Sequence, residues 1–443
     1  MISPRKLADF SAASLRQPIR QHHGAKYWHV PEYTNWIDES MSWKETCYIG
    51  DWSWLETIRY KGRDAIKLFA DTSVNSVAKF QIGQSKHVIH CDDNGKIIEE
   101  GILTRTGEEE VIAHSTAWAD YVARQGGYDV TSEVVGMTKF HVQGPNAIHL
   151  MERVSGRSLR EAKFMRELPL RIGGHDVVAL RQGMTGELGF ELQAAIENGP
   201  EVWAAIVAEG DDFGLKEMGG RVAMINHLEA CYPTLLLDYL PAIWDGRGRG
   251  YLKEQMESEH SFFDDYYGVA GSFESDRVAD WYRSPIEFGW GNRINFDHEF
   301  PGSDALRAEL KDPQRAISTL VWNSDDVMGL YASLFRKGTP LPDFMELPQD
   351  PRGYMYSDRV SVNGQPVGVS TSRGYSAYFR EVISLCVIDT GHSSPGTQVK
   401  VLWGNPGTEQ REIRATVAPA PYKKDRSRID LSTLPDLPPR LHR

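Results

Sequence analysis

The chain reads Arg181-Gln182-Gly183-Met184-Thr185-Gly186-Glu187-Leu188-Gly189-Phe190-Glu191-Leu192 at its most informative point, where evenly spaced glycines precede a carboxylate between two apolar residues. The β-branched run 176–180 and the alternation from Phe190 onward predict a strand, a tight turn and a second strand. Glu191 would then point away from Phe190 and Leu192. A carboxylate in this place can accept two parallel N–H bonds from an amidine-like edge. The simpler alternative is an exposed strand glutamate.

Length and composition describe a globular protein of more than one domain. A chain of 443 residues exceeds the size at which one hydrophobic core keeps growing, so we expect two or three domains. Charged residues make up 25% and apolar residues 41%, which are ordinary values for a globular chain. No run approaches the ~18 apolar residues of a membrane helix. We therefore expect no membrane partner.

Charge and cysteine usage exclude further classes. The net charge is −12 and the acidic residues are dispersed in short groups, which argues against nucleic acid as a partner. The four cysteines lie far apart without a C-x-x-C pair, so neither a disulfide framework nor a zinc ribbon is indicated. The basic N-terminus lacks the apolar core of a secretory signal. A cytoplasmic protein fits these features, as a monomer or a homodimer.

A strand, a glycine and a helix follow one another twice. The segment 55–69 alternates as a strand, then starts a helix after Gly62. The same order recurs in 140–150, where Gly144 separates the two elements. The repetition predicts two similar α+β units.

Aromatic residues are concentrated near the N-terminal part of the chain. Tyr27 and Trp28 lie in a ten-residue segment rich in rings, and Trp52 and Trp54 follow Asp51. Rings at this density predict either the wall of a pocket for a flat ligand or buried core packing, because tryptophan and tyrosine bury well in both cases.

Two further polar positions stand in predicted strands. A hairpin turn at Asn94-Gly95 leads into a strand that carries Glu100. The apolar strand 111–116 carries His114 and Ser115 near its end. A lone histidine in such a strand is either a core residue or a functional one, and its pKa depends on whether burial or a nearby carboxylate, Glu100 or Asp51, dominates.

The T-G-E-x-G-F-E pattern of Thr185–Glu191 resembles the signature of the glycine-cleavage T-protein family, the folate-dependent aminomethyltransferases and their demethylase relatives. This resemblance implies an α+β fold of two related units plus a C-terminal antiparallel β-barrel, three domains in a ring around a central folate site. Residues 25–310 would form the folate-binding region, 311–425 the barrel and 426–443 a tail, whose proline and arginine content predicts that it is mobile. Barrel strands are predicted at 316–322, 377–388 and 398–403.

The same resemblance assigns roles to single residues. Glu191 would hold the pterin ring of tetrahydrofolate, and Glu100 stands where the family has an aspartate beside the reactive edge of the folate. Arg221 would bind the folate carboxylate tail, with a surface helix-capping arginine as the alternative. Gln143 and Trp244 complete the predicted cofactor contacts.

Residues 240–246 resemble the P-A-I-Y-x-G stretch of tetrahydrofolate-dependent aryl O-demethylases, with Trp244 in place of their tyrosine and Trp54 in place of a histidine. The resemblance implies methyl transfer from a small aromatic methyl ether of the methoxybenzoate type to N5 of tetrahydrofolate. The alternatives are an aminomethyltransferase, an N- or S-methyl demethylase, and a non-catalytic folate-binding protein. The predicted catalytic residues are His114, Trp244 and Tyr27, with Tyr239 as a further candidate acid.

The predicted substrate contacts are Trp28, Asp51, Trp52, Trp54, His114 and Ser115. No nucleotide or metal motif competes with this interpretation. A G-x-G-x-x-G turn after a strand, a P-loop and an H-E-x-x-H helix are all absent from the sequence. We therefore expect no metal.

Overall fold

The computed structural model describes residues 14–16, 30–115, 117–257 and 268–436. The predicted site residues Tyr27 and Trp28 lie outside the described residues, so their roles stay predictions. Among the described residues, no helix is long and apolar enough to cross a membrane.

Strands and α-helices are mixed along the chain. The strands are β1 (Cys47–Asp51), β2 (Thr57–Lys61), β3 (Gln84–Cys91), β4 (Ile97–Arg105), β5 (Glu110–His114), β6 (Thr131–Val134), β7 (Phe140–Gln143), β8 (Glu167–Ile172), β9 (His175–Leu180), β10 (Gly189–Gln193), β11 (Leu215–Glu217), β12 (Val269–Ala270), β13 (Arg315–Trp322), β14 (Met355–Tyr356), β15 (Asp358–Val362), β16 (Gln365–Ser376), β17 (Glu381–Asp389), β18 (Gln398–Trp403) and β19 (Arg411–Ala418). The α-helices are α1 (Trp36–Glu45), α2 (Ala65–Thr72), α3 (Ala117–Arg124), α4 (Ala147–Ser155), α5 (Gly199–Ala208), α6 (Ile225–Ala230), α7 (Arg249–Glu257), α8 (Ser303–Lys311) and α9 (Ser324–Leu334).

The chain divides into two compact units. The first, here called the barrel unit, contains the described residues 14–16, 89–99, 227–257 and 268–422. The second, the sheet unit, contains the described residues 30–88, 100–115, 117–226 and 423–436. The domain boundaries expected at 25–310, 311–425 and 426–443 stay a prediction.

A six-stranded sheet organises the sheet unit, in the order β11-β1-β7-β10-β9-β8. Neighbouring strands are antiparallel except for β1 and β11. In β10, Phe190 and Leu192 enter the apolar core, so Glu191 and Gln193 point to the opposite face. Strand β7 alternates in the same way, with its even-numbered residues in the core. The opposite face, called the polar face below, carries Lys139, His141, Gln143, Glu191 and Gln193.

The connection between β9 and β10 is longer than the sequence suggests. Glu191 pairs with Leu180 and Gln193 with Val178, which confirms the antiparallel hairpin. The expected tight turn is wrong, because residues 181–188 form a loop between the two strands. Thr185 in this loop donates a hydrogen bond to Gln143, so the loop folds over the polar face instead of closing directly.

The repeated strand, glycine and helix occur as predicted. After β2, Gly62 has a φ of +143°, and after β7, Gly144 has a φ of +130°. In both copies the glycine carbonyl accepts from the amide three residues later, at 3.0 Å. A Cβ at Gly62 would lie 2.2 Å from the carbonyl oxygen of Asp129, and one at Gly144 2.6 Å from that of Thr46. Each helix therefore starts where only glycine allows the close approach.

The first copy of the repeat belongs to a five-stranded sheet in the order β3-β4-β5-β2-β6. Helix α2 packs its apolar side chains, among them Leu68 and Phe69, against Ile58 and Tyr60 of β2. The last residues of β3, 89–91, and the first residues of β4, 97–99, belong to the barrel unit. Two α+β arrangements of similar local structure thus form the sheet unit.

A closed barrel of six antiparallel strands confirms the expectation for the C-terminal region. Its order is β13-β17-β16-β15-β18-β19. The strand expected over 377–388 begins only at Glu381, because Arg380 has a φ of +58° and residues 377–380 form a turn. The left-handed conformation of Arg380 turns the chain at this point.

The expected mobile tail is wrong for residues 426–436. Arg181 donates to the carbonyl of Ile429 at 2.6 Å, and Arg160 to that of Leu434 at 2.8 Å. Leu431 is 1% exposed and belongs to the apolar core of the sheet unit. The proline and arginine content predicted a segment exposed to solvent. Instead, backbone carbonyls of this segment accept hydrogen bonds from arginines of the sheet unit.

Candidate functional site

Glu191 is the centre of a buried hydrogen-bond network on the polar face. It is 5% exposed, so the alternative of an exposed strand glutamate is excluded. Its Oε2 atom accepts from His141 Nε2 at 3.0 Å and from Gln182 Nε2 at 2.7 Å. Its Oε1 atom accepts from Gln193 Nε2 at 2.9 Å. Two amides and an imidazole therefore hold the carboxylate.

These donors keep Glu191 ionised. Burial favours the neutral acid, but the hydrogen bond and the charge of His141 outweigh it and lower the pKa of Glu191 well below its usual range. A carboxylate offers about four lone-pair sites, and the three bonds leave one on Oε1. A ligand N–H group can therefore donate to Glu191 without displacing a protein donor.

His141 is fixed in place from two sides. Its ring stacks on Trp52, with centroids 4.5 Å apart and an interplanar angle of 13°. Gly50 lies opposite His141 in β1, and a Cβ there would meet the Trp52 ring at 2.5 Å, so glycine makes room for the stack. Because Nε2 donates to Glu191, Nδ1 carries the lone pair when the ring is neutral. Nδ1 is buried and has no hydrogen-bond partner within the described part of the chain.

Gln143 lies beside His141 on the same face of β7. Its Oε1 atom accepts from Thr185 Oγ1 at 2.9 Å. Its buried Nε2 atom finds no partner among the residues that the structure describes. A Cβ at Gly183 would lie 2.5 Å from the Gln143 side chain, and one at Gly189 2.2 Å from it. Two of the glycines in the stretch quoted first therefore leave space for this glutamine.

His114 continues the network and is neutral. Gln193 Nε2 uses one hydrogen for Glu191 and faces His114 Nε2 at 3.3 Å with the other, so this ring nitrogen accepts. Nδ1 then donates to Thr57 Oγ1, 3.1 Å away. Burial lowers the pKa of His114 to about 4, and the opposing carboxylate is Glu191. The carboxylates considered from the sequence were Glu100 and Asp51, so that part of the expectation is wrong.

Both nitrogens of His114 are thus engaged in a neutral ring. A role as proton donor would require one of these bonds to break and the ring to gain a proton against burial. Its catalytic and substrate-binding roles stay predictions. The next residue, Ser115, is half-buried with a φ of +61°, and its amide donates to the carbonyl of Glu56 at 3.1 Å.

The predicted substrate contacts of residues 51–54 lie in one turn after β1. Asp51 is exposed and its Oδ1 accepts from the amide of Ser53 at 2.8 Å. Trp52 is 2% exposed and Trp54 is half-buried. The turn brings Trp52 to His141 and hence to the Glu191 network. Their contacts to a substrate stay predictions.

Two predicted cofactor contacts already have protein partners. Glu100 forms an ion pair with His87, and both side chains are nearly buried. Arg221 forms an ion pair with Glu32 at half-exposed positions. Hydrogen bonding to Arg221 lowers the pKa of Glu32. Each residue would have to share or exchange its partner to bind folate, so these roles stay predictions.

Trp244 and Tyr239 belong to the barrel unit. Trp244 is 6% exposed, and its carbonyl accepts from Arg249 Nη1 at 3.1 Å. Tyr239 is fully buried, and its ring packs edge-on against Phe288, with centroids 5.2 Å apart. The predicted catalytic role of Trp244 stays a prediction.

Sequence reasoning missed His141, Gln182, Gln193 and Lys139. The alternation of polar and apolar residues in 139–143 was the available signal, because one face of β7 receives only Lys139, His141 and Gln143. The burial of that face was not readable, because alternation usually marks a side open to water.

Comparison with known proteins gives one family and several similar chains. The model of the GCVT N-terminal domain matches residues 20–243. A sesamin methylene transferase from Sinomonas sp. (strain No.22) is 32% identical over 431 residues, covering 93% of this chain and 94% of that protein. A syringate O-demethylase from Sphingobium sp. (strain NBRC 103272 / SYK-6) is 29% identical over 419 residues, covering 88% and 89%.

Among solved structures, a glycine cleavage system aminomethyltransferase T from Bartonella henselae matches with a TM-score of 0.64 and 18% identity. The match covers 90% of this chain and 92% of that one. It confirms the predicted fold class of mixed α/β sheets with a C-terminal barrel.

Proposed function

We propose that this chain, which belongs to the GCVT family, transfers a methyl group from an aromatic methyl ether to N5 of tetrahydrofolate. The products are a phenol and 5-methyltetrahydrofolate. The similarity to a syringate O-demethylase along almost the whole chain supports an ether as the methyl donor. The proposal depends above all on Glu191, a buried carboxylate kept ionised by the donors around it.

The polar face fits a pterin ring. A pterin presents N–H donors next to a carbonyl acceptor, which calls for a carboxylate and a donor side by side. Glu191 has an acceptor site left on Oε1, and Gln143 has a buried amide nitrogen without a partner among the described residues. Both belong to the polar face, in the neighbouring strands β10 and β7. We assign Glu191 and Gln143 to the pterin.

Bound tetrahydrofolate supplies the nucleophilic nitrogen. During transfer the C–O bond of the ether breaks and its electron pair stays on the phenol oxygen. The phenol oxygen takes up one proton and N5 releases one, so the protons balance. Displacement at a methyl carbon needs the reacting atoms in line at near-attack distance, so positioning provides much of the rate. We assign this positioning to the wall formed by Trp52 and Trp54, which the stack on His141 joins to the Glu191 network.

The leaving oxygen needs a donor other than neutral His114. With Nε2 accepting and a pKa of about 4, this ring has no proton to give near pH 7 without losing the bond to Thr57. An indole N–H such as that of Trp244 donates a hydrogen bond but does not give up a proton. Ethers whose phenols are acidic should therefore react best.

A second candidate is transfer of a methylene group from a methylenedioxy ring. Its support is the similarity to a sesamin methylene transferase at 32% identity. Such a donor carries two C–O bonds on one carbon and would leave a catechol and 5,10-methylenetetrahydrofolate. The two candidates share the folate and the flat aromatic donor, and they differ in the oxidation level of the carbon that is transferred.

One incubation separates the candidates. The full chain is mixed with tetrahydrofolate and, separately, an aryl methyl ether, a methylenedioxybenzene, a sarcosine-type amine and a sulfonium compound. We expect 5-methyltetrahydrofolate and phenol from the ether. Formation of 5,10-methylenetetrahydrofolate from the methylenedioxy ring alone would establish the second candidate. Turnover of the amine or the sulfonium alone would reject an aromatic donor, and folate binding without any turnover would reject an enzyme.

A further inference from the structure

Lys139 is a buried lysine on the polar face, directly before β7. It is 1% exposed and lies two residues before His141, so both side chains leave the sheet on the same face. Lysine is rarely buried without partners, because removing an ammonium group from water is costly. Lys139 should therefore have a specific function at this position.

Lys139 forms three hydrogen bonds to the turn 51–55, called the tryptophan turn below. The carbonyl of Lys139 accepts from the amide of Trp52 at 2.8 Å. Its amide donates to Ser53 Oγ at 3.0 Å, and its Nζ donates to the carbonyl of Leu55. The start, the middle and the end of the turn are thus attached to Lys139, the end by the side chain alone.

The charge of Lys139 connects the turn to the Glu191 network. Burial lowers the pKa of Lys139 to about 8, against the attraction of Glu191 from β10 and of Glu56 and Asp51 beside the turn. His114 from β5 is a further titratable neighbour, and the charge of Lys139 helps to lower its pKa. The ammonium group is therefore present at pH 7 and is lost above about pH 8.

We infer that Lys139 is a positioning residue for the methyl donor. Lys139 holds the tryptophan turn, and with it the wall for the donor, at a set distance from Glu191. The inference rests on the proposed function, because the turn is the wall that we assign to the donor. Its side chain bonds to the end of the turn while its charge is attracted to Glu191. Loss of Lys139 should therefore affect binding of the donor more than binding of folate.

Two substitutions separate the hydrogen bond from the charge. Lys139→Gln keeps a donor near Leu55 without the charge, and Lys139→Met keeps the length of the side chain without either. Lys67→Gln is the matched control, because Lys67 is an exposed lysine paired with Asp71 on α2. All variants are made in the full chain.

The first readout needs neither folate nor donor. Hydrogen exchange of the amides of residues 51–57 should be at least ~10-fold faster in Lys139→Met than in the wild type, because local opening costs less without the Nζ bond. Lys139→Gln should stay within ~3-fold of the wild type, as should the control. If Lys139→Met does not fold, Lys139→Ala, which also lacks the Nζ bond, replaces it at the same pH. Equal exchange in the wild type and in the variant without the Nζ bond would overturn the inference.

The second readout divides the two ligands. We expect the KM for the aryl ether to rise at least ~10-fold in both variants at pH 7, while the Kd of tetrahydrofolate by calorimetry changes less than ~3-fold. The wild-type KM should rise above about pH 8, and this rise should be absent in Lys139→Gln. A loss of folate affinity with a wild-type KM would overturn the inference. Absence of turnover with every donor would reject the proposed function, while the exchange experiment would still decide the role of Lys139.

Discussion

Glu187 and Glu191 are buried carboxylates four residues apart, and their surroundings differ in charge. Glu187 forms an ion pair with Lys423 at 2.6 Å, and Arg426 lies 3.5 Å from its other oxygen. Glu191 is held by two amides and an imidazole. A carboxylate neutralised by two cations has little to offer a ligand, whereas one held by two amides and an imidazole keeps an acceptor site for an incoming donor. The comparison assigns a structural role to Glu187 and a binding role to Glu191.

The largest expected effect is the loss of stability when the ion pair of Glu187 is removed. Lys423→Met leaves Glu187 buried without its main cation, and we expect unfolding to become easier by about 3–5 kcal/mol. Urea denaturation of the full chain measures this change. The double variant Lys423→Met with Glu187→Gln should recover part of the loss, since no unpaired charge remains. An unchanged midpoint in the single variant would remove the distinction between the two glutamates.

Glu191→Gln tests the binding carboxylate. The amide presents an NH2 group to a network made of donors, and it removes the acceptor proposed for the pterin, so we expect tetrahydrofolate affinity to fall by about 1–3 kcal/mol, roughly tenfold to a hundredfold. Calorimetry on a variant shown to be folded gives the number. Glu133→Gln, an exposed strand glutamate paired with Arg59, is the control. Equal affinity in the variant and the wild type would place the pterin elsewhere.

His114 adds a pH dependence to the Glu191 side of the comparison. The pKa is about 4 in the folded chain against an ordinary 6.5, so the unfolded chain binds the proton first as the pH falls. The stabilisation is complete above pH 6.5 and is lost towards pH 4, by about 2 kcal/mol at pH 5. Urea midpoints at pH 7 and pH 5 should differ less in His114→Asn than in the wild type. A variant with the full wild-type difference would show that another group carries the effect.

The smallest effect concerns a single neutral donor. Gln182→Met removes one of the two bonds to Glu191 Oε2 and should cost about 1 kcal/mol of stability. If the three donors hold Glu191 jointly, the remaining bonds keep it ionised and tetrahydrofolate affinity should change less than ~3-fold. A larger loss of folate affinity than in Glu191→Gln would mean that Gln182, not Glu191, contacts the ligand.

Much of the fold was readable from local patterns. The strands on either side of the glycine-rich stretch, the repeated strand, glycine and helix, and the barrel all follow from alternation and glycine placement. Errors occurred where a distant segment decided the outcome. The connection 181–188 is a loop that lies over Gln143 instead of a tight turn. The tail from residue 426 is bound by Arg181 and Arg160. Neither contact leaves a local mark in the sequence.

The candidate site was readable in part for the same reason. Glu191 stood out by its glycines and by the resemblance to a known family, and its burial is now seen. His141, Gln182 and Lys139 did not stand out, because each is an ordinary polar residue until the partner strand is known. The ionisation of Glu191 and the neutrality of His114 come from bonds between strands far apart in the chain.

By itself, the sequence determined which residues alternate, where only glycine fits, and that a carboxylate follows a glycine-rich turn. These are properties of neighbouring residues, so local sterics and periodicity specify them. The tertiary structure alone decided that the polar side of the sheet is buried, and which donors surround each carboxylate. Burial and pairing depend on segments from distant parts of the chain, and they set whether Glu187 is neutralised and Glu191 remains free to receive a ligand.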